Sequence, residues 1–277
     1  MEEVYTYLKL DVPLAVGPEY VGPSLPDNTD IYGCKFKDIS YGEGVYNECI
    51  SHPLAQYDSI EEIEENYQWP SVDLYDYSSI PEQIKGKEDR PIIGGGSEPF
   101  LIYKNLRGEE QAYIDLKLNP SLAHYCLDHL YNFCFKNTQR IYEQIPGKVM
   151  LTHVAEDMGS ENGLMYSPEQ INEFFIPRMK KMINLVHEAG AYVIHHSDGA
   201  IRKILPDMIK AGIDILDPVQ WRCKGMDRKR LKEDFGDKLI FHGAMDNQKT
   251  LAFGSKEEVE EEVIDNINIL GENGGYI

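Results

Sequence analysis

The sequence contains no pair of cysteines at the CxxC spacing, and its five cysteines are scattered along the chain. An odd, dispersed set predicts neither a disulfide framework nor a thiolate zinc cluster. Long apolar runs are also absent: none approaches the roughly 18 residues of a membrane helix. The first residues, MEEVYTYLKL, lack the basic-then-apolar order of a secretory signal. We therefore expect a soluble, cytoplasmic protein that does not span a membrane.

Basic residues are scarce. The chain has 27 Lys and Arg against 47 Asp and Glu, which gives a net charge of −20, and residues 1–88 contain no arginine. Such a charge repels nucleic acids and anionic membranes, so we predict neither as a partner. A small-molecule substrate is favoured, and a polyanionic one would need a local cluster of basic groups.

Residues 1–88 differ in composition from the rest of the chain. They are rich in Pro, Tyr, Gly and Asp, and short apolar pieces alternate with turn signals. Within this segment, residues 31–40 and 44–50 predict a hairpin, and residues 59–67 predict a short acidic helix that ends before Pro70. We interpret residues 1–88 as a peripheral part of one domain whose core is formed by residues 89–277.

From residue 89 onward, short apolar strands alternate with long amphipathic helices, which is typical of a parallel sheet. The predicted strands are Pro91–Gly94, Val149–Ala155, Ala191–His195, Ile213–Leu216 and Leu239–His242, with a weaker one at Ala112–Leu116. Helices are predicted over 120–142, from Ser167 to Gly190 with a kink at Pro177, and from Ser255 to Gly271. Ser167 and Ser255 are N-cap residues followed three positions later by Gln or Glu.

The final residues Gly274–Ile277 resemble the opening of another strand. A barrel of eight βα units needs about 250 residues, so the pattern predicts a (β/α)8 TIM barrel that is incomplete at one or both ends in this chain. An open doubly wound sheet is the alternative, and it normally carries a glycine-rich phosphate loop. Gly94-Gly95-Gly96-Ser97 lacks the GxGxxG spacing, so a simple tight turn is the favoured interpretation.

Polar residues suited to metal binding or proton transfer follow successive predicted strands. They are His153, Glu156 and Asp157; His195, His196 and Asp198; Asp217 and Gln220; and His242, Asp246 and Gln248. In parallel barrels these strand ends line one mouth, where the active site lies. The sequence therefore predicts a site assembled from several strands, although Asp217 is equally well explained as a turn cap.

The alternation of side chains along a strand narrows the set of candidate site residues, because residues i and i+2 of a strand share a face. His196 and Asp198 then point the same way, whereas His195 has the opposite parity and is predicted to be structural. His242 and Asp246 share a face if their strand extends that far. An imidazole and a carboxylate that converge suit zinc or a similar divalent ion, or form an acid–base pair.

One of Glu156 and Asp157 is expected to enter the mouth, and alternation does not decide which. The remaining histidines lie in predicted helices or loops and are interpreted as surface or packing residues. They are His52, His124, His129 and His187.

Taken together, these pieces resemble the uroporphyrinogen decarboxylase superfamily, which includes the decarboxylase and zinc-dependent methyltransferases that work with corrinoid proteins. The resemblance covers most of the chain. Its motifs are SPEQINEFFIPRMKKM, AGAYVIHHSDG, AGIDILDPVQ and FHGAMDNQKTLAFGSKEEVEEEV followed by GGYI, together with the earlier LAQYDSIEEIEENYQWP. The resemblance implies a TIM barrel of the uroporphyrinogen decarboxylase type.

The decarboxylase resemblance implies a tetrapyrrole substrate with eight carboxylates and no cofactor. It also implies an arginine-rich N-terminal loop and an aspartate that binds the pyrrole nitrogens. Several carboxylates require guanidinium groups, and residues 1–88 contain none. This departure weakens the decarboxylase interpretation.

The methyltransferase resemblance implies zinc held by a histidine, a cysteine in an HxCG motif and a later cysteine. His196-Ser197-Asp198-Gly199 aligns with that motif, and Asp198 replaces the first cysteine. A carboxylate in place of a thiolate makes a harder site. Such a site fits a methyl ether polarised by the metal as a Lewis acid better than it fits an activated thiol.

We therefore predict a methyltransferase that moves a methyl group between a small substrate and a corrinoid on a partner protein. His196 and Asp198 would hold zinc, completed by Glu156 or His242. Glu156 or Asp157 would move protons, and Asp246 and Gln248 would orient the substrate. The alternatives are a cofactor-free decarboxylase in which Asp198 or Asp246 binds pyrrole N–H groups, and a non-catalytic barrel that binds small molecules. The oligomeric state stays open, with a homodimer as one alternative.

Overall fold

The structure is a computed structural model, and it describes residues 4, 7–9, 12–42, 44–87 and 89–277. Its contacts divide the chain into two units. The first contains residues 1–90 and 97–146, and the second contains residues 91–96 and 147–277. Helices within 97–146, which the sequence assigned to the barrel core, thus belong to the first unit. Residue 88, the predicted boundary, and several residues of the segment before it lie outside the described residues.

The first unit begins with short strands and an antiparallel hairpin. Its strands are β1 (Leu14–Val16), β2 (Glu19–Tyr20), β3 (Lys35–Tyr41), β4 (Gly44–Ser51) and β5 (Tyr75–Asp76). β3 and β4 pair with Ile39 opposite Tyr46, which confirms the predicted hairpin. Helix α1 (Ile60–Asn66) begins where the Ser59 side chain accepts a hydrogen bond from Glu62 N, and it ends at Tyr67. The predicted acidic helix is therefore also confirmed.

Helices form the rest of the first unit. They are α2 (Ile80–Gln83), α3 (Pro99–Arg107), α4 (Glu109–Leu118) and α5 (Pro120–Gln144), with a 3-10 turn at Val72–Leu74. α5 confirms the predicted helix over 120–142. The weaker predicted strand at Ala112–Leu116 is wrong, because these residues lie inside α4. Ala112, Asp115 and Leu116 are buried at the i, i+3, i+4 spacing of one helical face.

A buried ion pair joins α3 to α4. Arg107 and Asp115 have side chains that are 1% and 0% exposed, and Arg107 Nε lies 2.7 Å from Asp115 Oδ2. The Asp115 carboxylate also accepts hydrogen bonds from Tyr103 Oη at 2.6 Å, Gln111 Nε2 at 2.9 Å and Asn119 Nδ2 at 2.9 Å. Arg107 Nη1 donates to the carbonyls of Leu54 at 2.6 Å and Tyr57 at 2.5 Å. Both buried charges therefore have several polar partners.

The second unit contains a sheet in the order β6-β7-β10-β11-β12. These strands are β6 (Ile92–Ser97), β7 (Leu151–Val154), β10 (Tyr192–His196), β11 (Ile215–Asp217) and β12 (Ile240–Phe241). The β7–β10, β10–β11 and β11–β12 pairs are parallel, with Ile194 opposite Ile215 and Ile215 opposite Ile240. The five main predicted strands are confirmed. Tyr276 forms a parallel bridge with Phe241, so the predicted opening of a further strand is confirmed as well.

The glycine run Gly94–Gly96 lies within β6 and does not form the predicted tight turn. Gly96 has φ = +124°, and a Cβ atom there would lie 2.5 Å from the carbonyl oxygen of His153. The run therefore allows β6 to lie close to β7, because only glycine combines this backbone conformation with so near a neighbour.

Helices alternate with the strands of the second unit. They are α6 (Pro168–Gln170), α7 (Ile176–Glu188), α8 (Leu205–Ala211), α9 (Arg228–Phe235), α10 (Thr250–Phe253) and α11 (Lys256–Leu270), and a short antiparallel pair, β8 (Gly159–Ser160) and β9 (Gly163–Leu164), precedes α6. Both predicted capping boxes, at Ser167 and Ser255, are present. Within the described part of the chain, no helix has the length and apolar character that a membrane crossing requires.

A π-helical segment, residues 171–175, connects α6 to α7. Here the N–H of Ile176 bonds to the carbonyl of Ile171, five residues earlier. Pro177 follows directly, and a proline in an α-helix cannot donate to the carbonyl four residues before it and clashes with it. The wider turn lies directly before Pro177, where the sequence predicts a kink, and it accommodates the proline.

Candidate functional site

Three side chains of the second unit converge at the carboxyl ends of β7 and β10. They belong to Asp157, His196 and Asp198, whose potential ligand atoms all lie within 4.8 Å of one another. His196 is the last residue of β10, and the two aspartates lie on the loops that follow β7 and β10. The side chains of His196 and Asp157 are 35% and 39% exposed. The cluster is therefore accessible, and of the pair left open by the sequence, Asp157 is the member that it contains.

The loop after β10 brings the two carboxylates together. The backbone N–H of Asp198 donates to Asp157 Oδ1 at 2.9 Å, and His196 Nε2 lies 3.8 Å from the same oxygen. Asp157 thus contacts both the imidazole and the loop that carries Asp198. This arrangement offsets part of the repulsion between two neighbouring carboxylates.

Asp217, the last residue of β11, holds two histidines. Its Oδ2 lies 3.0 Å from His196 Nδ1, and its Oδ1 is hydrogen-bonded to His242 Nδ1. With Nδ1 of each ring engaged, Nε2 is the nitrogen that remains for a metal ion or a proton. A carboxylate behind a histidine orients the ring in this way at many metal sites.

The charges of these groups depend on one another. The hydrogen bond to Asp217 raises the pKa of His196 to about 9, despite the opposing effect of burial. Burial raises the pKa of Asp217, but hydrogen bonds from His196 and His242 outweigh it and hold this pKa well below its usual range. The pKa of Asp198 is raised by burial and by the nearby Asp157. A bound cation would replace the proton of His196 and stabilise both aspartates in their charged forms.

Glu156 and His242 are not members of the three-residue group. Glu156 is buried, and its backbone N–H donates to the carbonyl of His196 at 3.1 Å. His242 lies directly after β12, and its Nδ1 is held by Asp217. Each therefore lies next to the three-residue group: Glu156 contacts His196, and His242 contacts Asp217.

Asp246 faces a different set of partners. Its carboxylate accepts hydrogen bonds from Gln248 N at 3.0 Å and Lys249 N at 3.3 Å, and it forms an ion pair with Arg222 Nε. Because β12 ends at Phe241, the condition under which His242 and Asp246 would share a strand face is not met. The side chain of Gln248 is exposed.

Two further histidines flank His196. His195 is fully buried, and its Nδ1 lies 2.6 Å from the carbonyl oxygen of Val154; its Nε2 has no hydrogen-bond partner among the described residues. Burial lowers the pKa of His195 to about 4, so the ring is neutral at physiological pH. This placement agrees with its predicted structural role. Burial also lowers the pKa of His153, which lies near Asp217, His196 and His242.

Sequence reasoning missed the central position of Asp217 and did not consider Arg222. The signal for Asp217 was present, because an aspartate directly after a buried strand lies at the mouth of a barrel, but the turn-cap interpretation was equally good. The partner of Arg222 depends on how two separate loops meet, which the sequence does not show.

A close backbone approach holds the loop of Asp198 in place. Gly199 has φ = +86°, and a Cβ atom there would lie 2.4 Å from the carbonyl carbon of Gly159. The N–H of the next residue, Ala200, donates to Ser160 O at 2.8 Å. Glycine at position 199 therefore lets this loop pack against the β8 strand.

Replacing Gly199 with alanine is expected to destabilise the second unit by more than the roughly 1–3 kcal/mol that an unfavourable backbone conformation costs, because the loops must also separate. Urea unfolding measures the change. Gly147→Ala is the matched control, since Gly147 also has a positive φ, +68°, but has no atom within 4 Å of the added Cβ. Equal losses of stability in the two variants would contradict the close-approach argument.

Comparisons with known proteins agree with this architecture. The profile of the family described as Uroporphyrinogen decarboxylase (URO-D) matches residues 33–277. A search of curated proteins finds no match. Among solved structures, the chain is similar to a methyltransferase from Methanosarcina mazei, with 18% sequence identity and a TM-score of 0.64 over 90% of this chain and 71% of that one. At this identity the likeness shows a shared fold.

The fold is thus an incomplete (β/α)8 barrel of the URO-D type, of which the second unit supplies β6, β7, β10, β11, β12 and the segment at Tyr276. The family profile covers most of the chain, from the hairpin of the first unit to the last residue. The protein therefore belongs to the uroporphyrinogen decarboxylase family.

Proposed function

We propose that this protein transfers a methyl group between a small substrate and a corrinoid carried by a separate protein. A divalent metal ion, zinc in the first instance, would be held by Asp157, His196 and Asp198. The observation that carries the proposal is the convergence of these three side chains within 4.8 Å at the carboxyl ends of two parallel strands. Active sites of barrel enzymes lie at this end of the strands.

The donor set fits such an ion. One imidazole nitrogen and two carboxylate oxygens are suitable zinc ligands, and catalytic zinc sites commonly use three protein ligands and leave one position open. Asp217 Oδ2 lies 3.0 Å from Nδ1 of His196, which leaves Nε2 for the metal. Glu156 and His242, our other candidates for ligands, would then act from the border of the site.

The chemistry of the donors indicates the class of substrate. Carboxylate ligands make a hard site, which favours an oxygen-bearing methyl donor such as an aryl or alkyl methyl ether over a thiol. When bound, the metal would supply Lewis acidity at the ether oxygen.

Residues of this chain would handle the proton. In the proposed reaction the bond between oxygen and the methyl carbon would break with its electron pair left on the oxygen, and the corrinoid of the partner protein, as the second substrate, would accept the methyl group. The oxygen then needs a proton. Because Nδ1 of His242 donates to Asp217, Nε2 is the nitrogen that can exchange a proton with the substrate, and the doubly protonated ring would give that proton to the oxygen. Gln248 is exposed and free to orient the substrate, and Asp246 would act by holding the loop that carries Gln248.

The charge of the site argues against the decarboxylase alternative. Asp157, Asp198 and Asp217 place three carboxyl groups around His196, and residues 1–88 contain no arginine. A substrate with many carboxylates would be repelled here unless guanidinium groups compensated. A neutral or weakly charged ether meets no such penalty.

Metal analysis and a methyl-transfer assay test the proposal. We expect about one zinc per chain in protein purified without a histidine tag, and methylcobalamin formation, seen by visible absorbance, when cob(I)alamin and an aryl methyl ether are supplied. His196→Ala should lose both the zinc and the activity. His187→Ala is the matched control, because His187 is 41% exposed and pairs with Asp214 away from the cluster.

Two results would contradict the proposal. One is retention of zinc by His196→Ala at the level of the His187→Ala control. The other is a metal-free protein that decarboxylates uroporphyrinogen, which would favour the alternative function.

A further inference from the structure

Gln220 lies on the loop after β11, and its side-chain amide forms two hydrogen bonds with the neighbouring loop, which follows β10. Its Oε1 accepts a hydrogen bond from the backbone N–H of Gly199 at 2.8 Å. Its Nε2 donates to Asp198 Oδ1 at 2.7 Å. One side chain thus holds both the backbone and the carboxylate of the segment that carries Asp198.

The orientation of this amide is determined by its partners. The N–H of Gly199 can only donate, so the amide oxygen of Gln220 must face it. The amide nitrogen then faces Asp198, whose oxygen accepts. A flipped amide would place a donor against a donor and an oxygen against a carboxylate, so a single arrangement satisfies both contacts.

The two hydrogen bonds of Gln220 oppose an electrostatic repulsion. Asp157 and Asp198 are close enough to repel each other when both are charged. The N–H of Asp198 stabilises Asp157, and Gln220 provides the hydrogen bond that holds the Asp198 carboxylate beside it. Without Gln220, rotation of the Asp198 side chain toward solvent would relieve the repulsion.

The loop that carries Gln220 is itself anchored. The next residue, Trp221, donates from Nε1 to Glu262 Oε1 at 3.2 Å. The guanidinium groups of Arg222 and Arg228 each lie over its ring, with Cζ atoms 4.2 and 4.3 Å from the ring centroid. Glu262 is buried on α11 and also accepts from Asp246 N at 2.6 Å. Gln220 therefore extends from a fixed base.

We infer that Gln220 is a positioning residue that holds the Asp198 carboxylate in place as a metal ligand. The inference rests on the proposed metal centre. Gln220 would not touch substrate or metal, and its effect would pass through Asp198. Residues behind the direct ligands commonly change metal affinity about 10- to 100-fold.

The test compares Gln220→Met with wild type. Methionine has a similar length but can neither donate to Asp198 nor accept from Gly199 as the amide does. We expect zinc affinity, measured by calorimetry with a competing chelator, to fall about 10- to 100-fold, and the amide of Gly199 to exchange faster with solvent. The melting temperature should stay close to that of Gln139→Met, an exposed glutamine on α5 that serves as the matched control.

A shortened amide provides a second variant if the methionine protein does not fold. Gln220→Asn keeps the chemistry but cannot reach both partners, so its zinc affinity should also fall. If wild type binds zinc and the position-220 variants bind it with the same affinity, the inference about Gln220 is wrong, whereas the proposed metal centre stands. Absence of zinc binding in wild type would overturn the proposed metal centre and this role of Gln220 with it.

Discussion

Replacing His242 with glutamine is expected to lower the turnover of methyl transfer about 100- to 10,000-fold, the usual contribution of a general acid. The Nδ1 atom of His242 is bound to Asp217, so Nε2 is the nitrogen that would carry the proton given to the leaving oxygen in the proposed reaction. Glutamine can keep the contact with Asp217 but cannot give up a proton at neutral pH. Stopped-flow measurement of methylcobalamin formation would record the loss.

The same variant separates two roles of His242. As a proton donor outside the three-residue group, it should leave zinc affinity unchanged, and an aryl ether with a more acidic leaving group should recover part of the rate. His187→Gln is the control and should match wild type. A His242→Gln protein that loses its zinc would show instead that His242 is a ligand, and an unchanged rate would eliminate it as the acid.

Replacing Asp115 with asparagine should lower the free energy of unfolding of the first unit by about 3–5 kcal/mol, the cost of removing one partner of a buried ion pair. The change leaves the guanidinium of Arg107, which is 1% exposed, without its buried counter-charge. The chain has two tryptophans, and Trp69 is the one in the first unit. Urea unfolding followed by fluorescence in a Trp221→Phe background therefore reports on this unit.

The matched control uses the same guanidinium. Asp58 Oδ1 lies 3.9 Å from Arg107 Nη2 but is 96% exposed, so Asp58→Asn should cost no more than about 1 kcal/mol. A similar loss in the two variants would contradict the argument from burial.

The effect of Asp115 should depend on pH in a defined direction. Burial raises the pKa of Asp115, but the hydrogen bonds from Arg107, Asn119, Tyr103 and Gln111 outweigh it, and the net pKa is lowered. A lowered folded pKa means that the stabilisation is complete above the unfolded value, about 3.9, and is lost as pH falls toward the folded value. The difference between wild type and Asp115→Asn should therefore shrink below about pH 4.

Helices and strands with strong local signals could be predicted from the sequence. The helices that begin at Ser167 and Ser255 carry complete capping boxes, and β10 is an apolar run followed by histidines. Ala112–Leu116 misled the prediction because its short apolar pieces resemble a strand. This segment also contains Asp115, which is buried because it pairs with the buried Arg107. A tertiary contact of this kind cannot be inferred from the local sequence pattern.

The position of the candidate site at the strand ends could be predicted from the sequence, but most of its individual contacts could not. His196 and Asp198 converge because a strand end and the loop after it stay together. The choice between Glu156 and Asp157 depends on the path of the loop after β7, which is irregular and follows no period. The contacts of Asp217 with His242 and of Gln220 with Asp198 join residues 25 and 22 positions apart, and such pairs depend on how the strands align.

The π-helical segment before Pro177 has a consequence for which sequence changes this helix tolerates. A π turn closes over one residue more than an α turn, so deleting one residue between 171 and 175 would restore an ordinary α-helical turn. Pro177 would then clash with the carbonyl four residues before it, so we expect the deletion to destabilise this helix, whose π segment buries Ile171 and Phe174. Insertions or deletions should be far better tolerated in the exposed turn between β8 and β9.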